Sequence, residues 1–106
     1  CIRYWLLGYE VWVAPSVSVL HYFRTSNPYK VEGGVVTHNL LRVALLHFSP
    51  ARLARVFETM KSNTKFSQAF VHAVDSDVWQ KRAELAARRV RDDDWLFNEF
   101  ADTCEV

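Results

Sequence analysis

Three side chains of unlike chemistry fall within nine residues, "HYFRTSNPY" at positions 21–29: His21, Arg24 and Tyr29. An imidazole at the end of an alternating run offers one ring nitrogen to a divalent metal. A guanidinium fork matches two phosphate oxygens at once, and a phenol can stack beside the same anion or donate its hydroxyl to it. Each residue also has a plainer role: a histidine satisfied by a carbonyl, an exposed arginine, a tyrosine packed on a domain edge. Lys30 adds a cation that water alone can satisfy. No second ligand stands at metal spacing from His21, so a metal there draws its other ligands from elsewhere.

His38, Asn39 and Arg42 open the apolar run "VVTHNLLRVALLHF". His38 and Arg42 are four apart and share a helix face. That face is read as a hydrogen-bond network supporting the preceding loop, with direct ligand contact as the alternative. His47 and His72 are assigned to surface or helix-end positions. "KRAELAARRVRDDD" alternates Lys81, Arg82, Arg88, Arg89 and Arg91 with Glu84 and closes on Asp92–Asp94. This pattern argues for a solvated, ion-paired helix rather than a nucleic-acid surface. A glycine-rich phosphate loop, a nucleophile elbow and a Cys-x-x-Cys pair are all missing from the sequence.

The elements that must position these residues follow from periodicity. "CIRYWLLG" has the texture of a final helical stretch stopped by Gly8. "YEVWVAP" and "SVSVLHYF" read as two short strands broken at Pro15-Ser16. "RTSNPYKVEGG" is turn-rich and forms a loop with the glycine pair as its hinge. Beyond it come about five helices: a buried one over 35–48, one begun by Ser49 as N-cap and Pro50 at the first helical position, one bearing Phe66, Ala69 and Phe70 inward, one capped by Asp75 or Ser76, and a last one capped by the acids at 92–94. Two strands without a sheet to join predict the trailing part of an α/β domain.

Half of the 106 residues are hydrophobic, which is core-forming composition, and the net charge of +1 gives no global attraction to nucleic acid or acidic membrane. Cys1 and Cys104 are too few for a disulfide framework.

The stretch "CIRYWLLGYEVWVAPSVSVLHYFRTSNPY" resembles the later part of the catalytic domain of inverting-type family 2 glycosyltransferases, the bacterial enzymes most closely, and is similar to the related polypeptide N-acetylgalactosaminyltransferases. Gly8, Pro15, Ser16, Val19, His21, Phe23, Arg24, Pro28 and Tyr29 fall in step with that family, and His38, Asn39, Arg42 and Ala44 match its next helix start. The match covers residues 1–46; after Ala44 the sequence "LLHFSPARLARV" departs from the animal enzymes. The resemblance implies a GT-A α/β domain of which residues 1–106 are the C-terminal portion, with 1–30 ending the catalytic core and lid loop and 34–106 forming a helical segment. It implies a metal-dependent transfer of a sugar from a nucleotide-diphosphate donor to a glycan, lipid-linked or protein acceptor. It implies His21 as a ligand of Mn2+ or Mg2+, Arg24 and Tyr29 on the donor diphosphate, and His38, Asn39 and Arg42 as loop support. The missing N-terminal part of the domain would carry the other ligands, so the chain alone is expected to be inactive. A cytoplasmic place is expected with it, the inner face of the membrane being one option within it. The competing expectation is a non-enzymatic helical module whose apolar helices pack on a partner chain.

Overall fold

A computed structural model describes residues 1–30 and 32–103. Six α-helices make up its regular structure: α1 (Ile2–Leu6), α2 (Gly33–His47), α3 (Pro50–Met60), α4 (Phe66–Val74), α5 (Val78–Arg88) and α6 (Asp93–Glu99), followed by one 3-10 turn at Ala101–Thr103. None of these helices is long and apolar enough to cross a membrane.

The α/β expectation is overturned: among the described residues there is no strand, so the chain does not form a two-stranded GT-A segment. The physical reason lies in the pairing requirement. A strand exists only when its N–H and C=O groups meet a neighbour. Residues 9–30 do make the turn expected at Pro15-Ser16, where the Val17 N–H donates to the Ala14 carbonyl at 3.1 Å, but the runs flanking it do not pair. They remain without regular structure and open to water, with Trp12, Leu20, Tyr22 and Phe23 each more than four-fifths exposed.

The helical body is built on α2. Thr37, Leu41, Ala44 and Leu45, spaced as one helical face, are buried, and Leu41 packs with Ala69 and Ala73 of α4 and Val78 of α5. The partly buried Leu53, Phe57 and Met60 of α3 and Phe66 and Phe70 of α4 close this core. The opposite face of α2 departs from the fully buried helix expected from composition: Val36, Leu40 and Val43 remain exposed. Gly33 and Gly34 form the first turn of α2 rather than a hinge.

Helix ends follow local chemistry. Ser49 is the N-cap of α3 with Pro50 just inside it. Asp92 caps α6 by accepting the Trp95 N–H at 2.7 Å. Asp77, rather than Asp75 or Ser76, stands at the N-cap of α5. At the C-terminal end of α2, Arg82 donates to the carbonyls of Leu45 and Phe48, and Arg89 donates to that of His47. Here the basic stretch serves as a helix cap, a role its composition does not reveal. Asp93 is buried and accepts from the Ser49 N–H at 2.7 Å and Arg52 Nε at 3.0 Å, joining α3 to α6.

Helix α1 is tied to the far end of the chain. The Val90 and Arg91 N–H groups both donate to the Leu6 carbonyl, and Trp5 packs on Trp95 and Phe100. Gly8 then turns the chain at φ +87°, as the helix stop expected there requires. Residues 9–30 therefore leave the body at one anchored point and rejoin it at α2. The Cα radius of gyration, 16.3 Å, exceeds the roughly 13 Å of a compact domain of this length. The difference follows from this projecting arm.

Candidate functional site

The arm carries the residues singled out for chemistry. Past the Ala14–Val17 turn it runs without regular structure to Arg24, bends at Thr25-Ser26 and again at Pro28-Tyr29. These bends bring His21, Arg24, Asn27 and Tyr29 around one shallow hollow of about 420 Å³. Its floor is partly aromatic: the His21 ring lies against Phe23 at a centroid distance of 4.2 Å. Among the described residues no carboxylate lines the hollow. Its charge is the Arg24 guanidinium, and among the described residues Arg24 has no ion pair or hydrogen bond that would commit it elsewhere. An uncommitted guanidinium beside an amide, an imidazole and a phenol suits an anion with several oxygens.

As a metal centre the hollow is incomplete. It offers one imidazole nitrogen, and among the described residues no three His, Cys, Asp or Glu side chains come together to hold an ion. His21 can be one ligand of a shared site; it does not make a site alone.

The three α2 residues part company. Arg42 donates to Ser76 Oγ at 2.7 Å and pairs with Asp77, so it fastens α2 to the turn between α4 and α5, not to the arm. The Asp77 carboxyl is held below its usual range by that hydrogen bond. Asn39 is exposed and lies 3.5 Å from His38 Nδ1. His38 itself faces His72 of α4 across a second hollow of about 260 Å³, which Glu32 and Gln68 also border.

No family model, curated protein or solved structure matches this chain.

His47 takes the helix-end place of the two expected for it, and there it is buried rather than on the surface. It ends α2 at 5% exposure, and burial, followed by the nearby charges of Arg3, Arg89 and Arg82, pushes its pKa down to about 4. The ring is thus neutral in the folded chain at pH 7. His72 is exposed in the last turn of α4, in keeping with the surface or helix-end place expected, and shares a hollow with His38. Nothing local in the sequence pairs positions 38 and 72; only the packing of α2 on α4 does. Cys1 is exposed and unpaired, and Cys104 lies outside the described residues.

Proposed function

We propose that this chain supplies the donor-diphosphate lid of a metal-dependent glycosyltransferase. The observation that carries the reading is the convergence of His21, Arg24 and Tyr29 on one hollow of an exposed arm. The sequence resemblance assigns the same three residues to metal and diphosphate.

In such a transfer the bond between the sugar C1 and the diphosphate oxygen breaks and the acceptor oxygen bonds to C1; the diphosphate leaves with the electron pair, and the acceptor hydroxyl gives its proton to a base beyond this hollow. Arg24 meets the negative charge that grows on the leaving oxygens, so its contact strengthens along the reaction. Tyr29 adds one hydroxyl donor. A divalent ion, Mn2+ or Mg2+, would neutralise part of that charge when bound; His21 would give it one nitrogen, and its remaining ligands would come from the diphosphate and from residues beyond this hollow. Closure of the arm over the donor would exclude water that otherwise hydrolyses it.

The test is release of nucleoside diphosphate from a panel of sugar nucleotides by the protein carrying this chain. Release that Arg24→Ala suppresses supports the lid. Release unaffected by Arg24→Ala and Tyr29→Phe together rejects it.

One observation favours a second reading. Val36, Leu40 and Val43 form an exposed apolar stripe on α2, as a helical interaction module would need. In that case Leu40→Glu abolishes capture of the partner, while arm substitutions change nothing.

A further inference from the structure

The groove between α2 and α4 lies apart from the arm hollow and holds a different kind of donor. His38 and His72 approach each other there with ring centroids 5.9 Å apart and planes at 75°. An ion held at about 2.1 Å by one nitrogen of each imidazole sets the two centroids roughly 5 to 6.4 Å apart. The observed centroid separation falls in that window.

Both rings stand on rigid elements. Leu41, one turn beyond His38, and Ala69 and Ala73, flanking His72, belong to the same buried cluster, which fixes α2 against α4. His72 is exposed and His38 half-buried, so an ion can reach both. The second nitrogen of His38 has an outer partner: Nδ1 faces Asn39 Oδ1 at 3.5 Å. In the tautomer with Nδ1 protonated toward that oxygen, Nε2 presents its lone pair as a ligand. Glu32, at the rim of the same hollow, contributes negative charge.

We propose that His38 and His72 form a two-imidazole site for a borderline transition-metal ion, Zn2+ in particular. Two imidazoles suit Zn2+, Cu2+ or Ni2+, whereas Mg2+ and Ca2+ take oxygen ligands. Because the described residues bring no third strong ligand to this point, water fills the remaining positions and the coordination stays open. The bound ion bridges α2 and α4 and therefore stabilises the helical body by mass action. Glu32 also borders the hollow formed by Tyr29, Lys30, Val35 and Val36, so the site adjoins the end of the arm. The inference does not depend on glycosyl transfer.

Its test is a zinc titration of the full 106-residue chain, followed through the histidine ring resonances by NMR. The expected result is a joint, saturating shift of His38 and His72 with one ion, while His21 and His47 stay in place and Mg2+ moves none of the four. His38→Gln and His72→Gln should each weaken zinc binding by more than the roughly 10- to 100-fold that loss of an outer partner costs. Zinc captured by a cysteine without the two imidazoles would not give a joint shift of both rings and does not imitate this result. The proposal is overturned by absence of ring shifts at millimolar zinc, by a shift of one ring without the other, or by variants that match the parent. Should a variant lose its helical circular dichroism, the parent's ring shifts decide.

Discussion

Arg24 has the largest expected effect of any single side chain in the arm. Removing one donor that meets charge developing in a transition state costs about 2.7–4 kcal/mol, so Arg24→Ala should lower turnover by roughly 100- to 1,000-fold. Tyr29→Phe removes one hydroxyl and should cost about 1 kcal/mol, the net value of an ordinary hydrogen bond. A steady-state assay of diphosphate release separates the two; equal losses would mean that both changes merely disturb the arm. His47 controls a different quantity. Its folded pKa of about 4 lies below the unfolded value near 6.5. As pH falls between those values, the unfolded chain takes up a proton that the folded chain refuses, and stability declines by about 1.4 kcal/mol per unit, or on the order of 3 kcal/mol in total. Urea unfolding at pH 6.5 and pH 5 should therefore show a drop in the parent that is missing in His47→Gln. Equal drops would mean that other groups cause the acid sensitivity.

At the scale of elements, Gly8 is the most exacting position. Its φ of +87° belongs to the left-handed region, and an added Cβ would stand 2.7 Å from Val90 Cγ2. Gly8→Ala should destabilise the chain by about 2 kcal/mol or more, combining the roughly 1–2 kcal/mol of left-handed strain with the clash. Val90→Ala in that background should recover the clash share alone, and denaturant midpoints of the single and double variants measure both parts. Helix stops and starts of this kind were legible in the sequence because they rest on neighbours: Gly8, Ser49-Pro50 and Asp92 each stand where their residue types indicate. The strands were not. "SVSVLHYF" has a strand's composition and alternation, yet pairing is a property of two segments, and among the described residues no second segment meets it. The arginine caps on the end of α2 were hidden for the same reason, since Arg82 and Leu45 are far apart in sequence. Of the arm residues, His21, Arg24 and Tyr29 could be selected together because they lie within nine residues that two short bends gather; the His38–His72 pair depends on helix packing that spacing does not encode.

For the whole molecule, the division into an anchored helical body and a projecting arm predicts how it is cut. Residues 9–30 carry no helix or strand and are almost all exposed, whereas α2, α4 and α5 share one core. Proteases reach segments whose local opening costs little. Brief trypsin digestion should therefore cleave first at Arg24 or Lys30, and chymotrypsin at Trp12, Leu20, Tyr22, Phe23 or Tyr29, leaving a resistant product from α2 onward. Mass spectrometry of the first products checks this. Initial cleavage within α2 or α4 would show that the body opens before the arm. The exposed apolar side chains of the arm, together with the Val36, Leu40 and Val43 stripe, also expose the molecule to self-association, which should strengthen with salt rather than weaken as a charge-driven contact would.

The diphosphate-lid function is tested most directly by titrating manganese against sugar-nucleotide turnover in the protein carrying this chain, for the parent, His21→Ala and Arg24→Ala. Loss of a metal ligand weakens metal affinity, so rising manganese should restore part of the His21→Ala activity, while Arg24→Ala, which lacks a charge partner for the diphosphate, should stay low at every concentration. A His21→Ala variant with the parent's metal dependence, or turnover that ignores both substitutions, would contradict the function proposed for the arm.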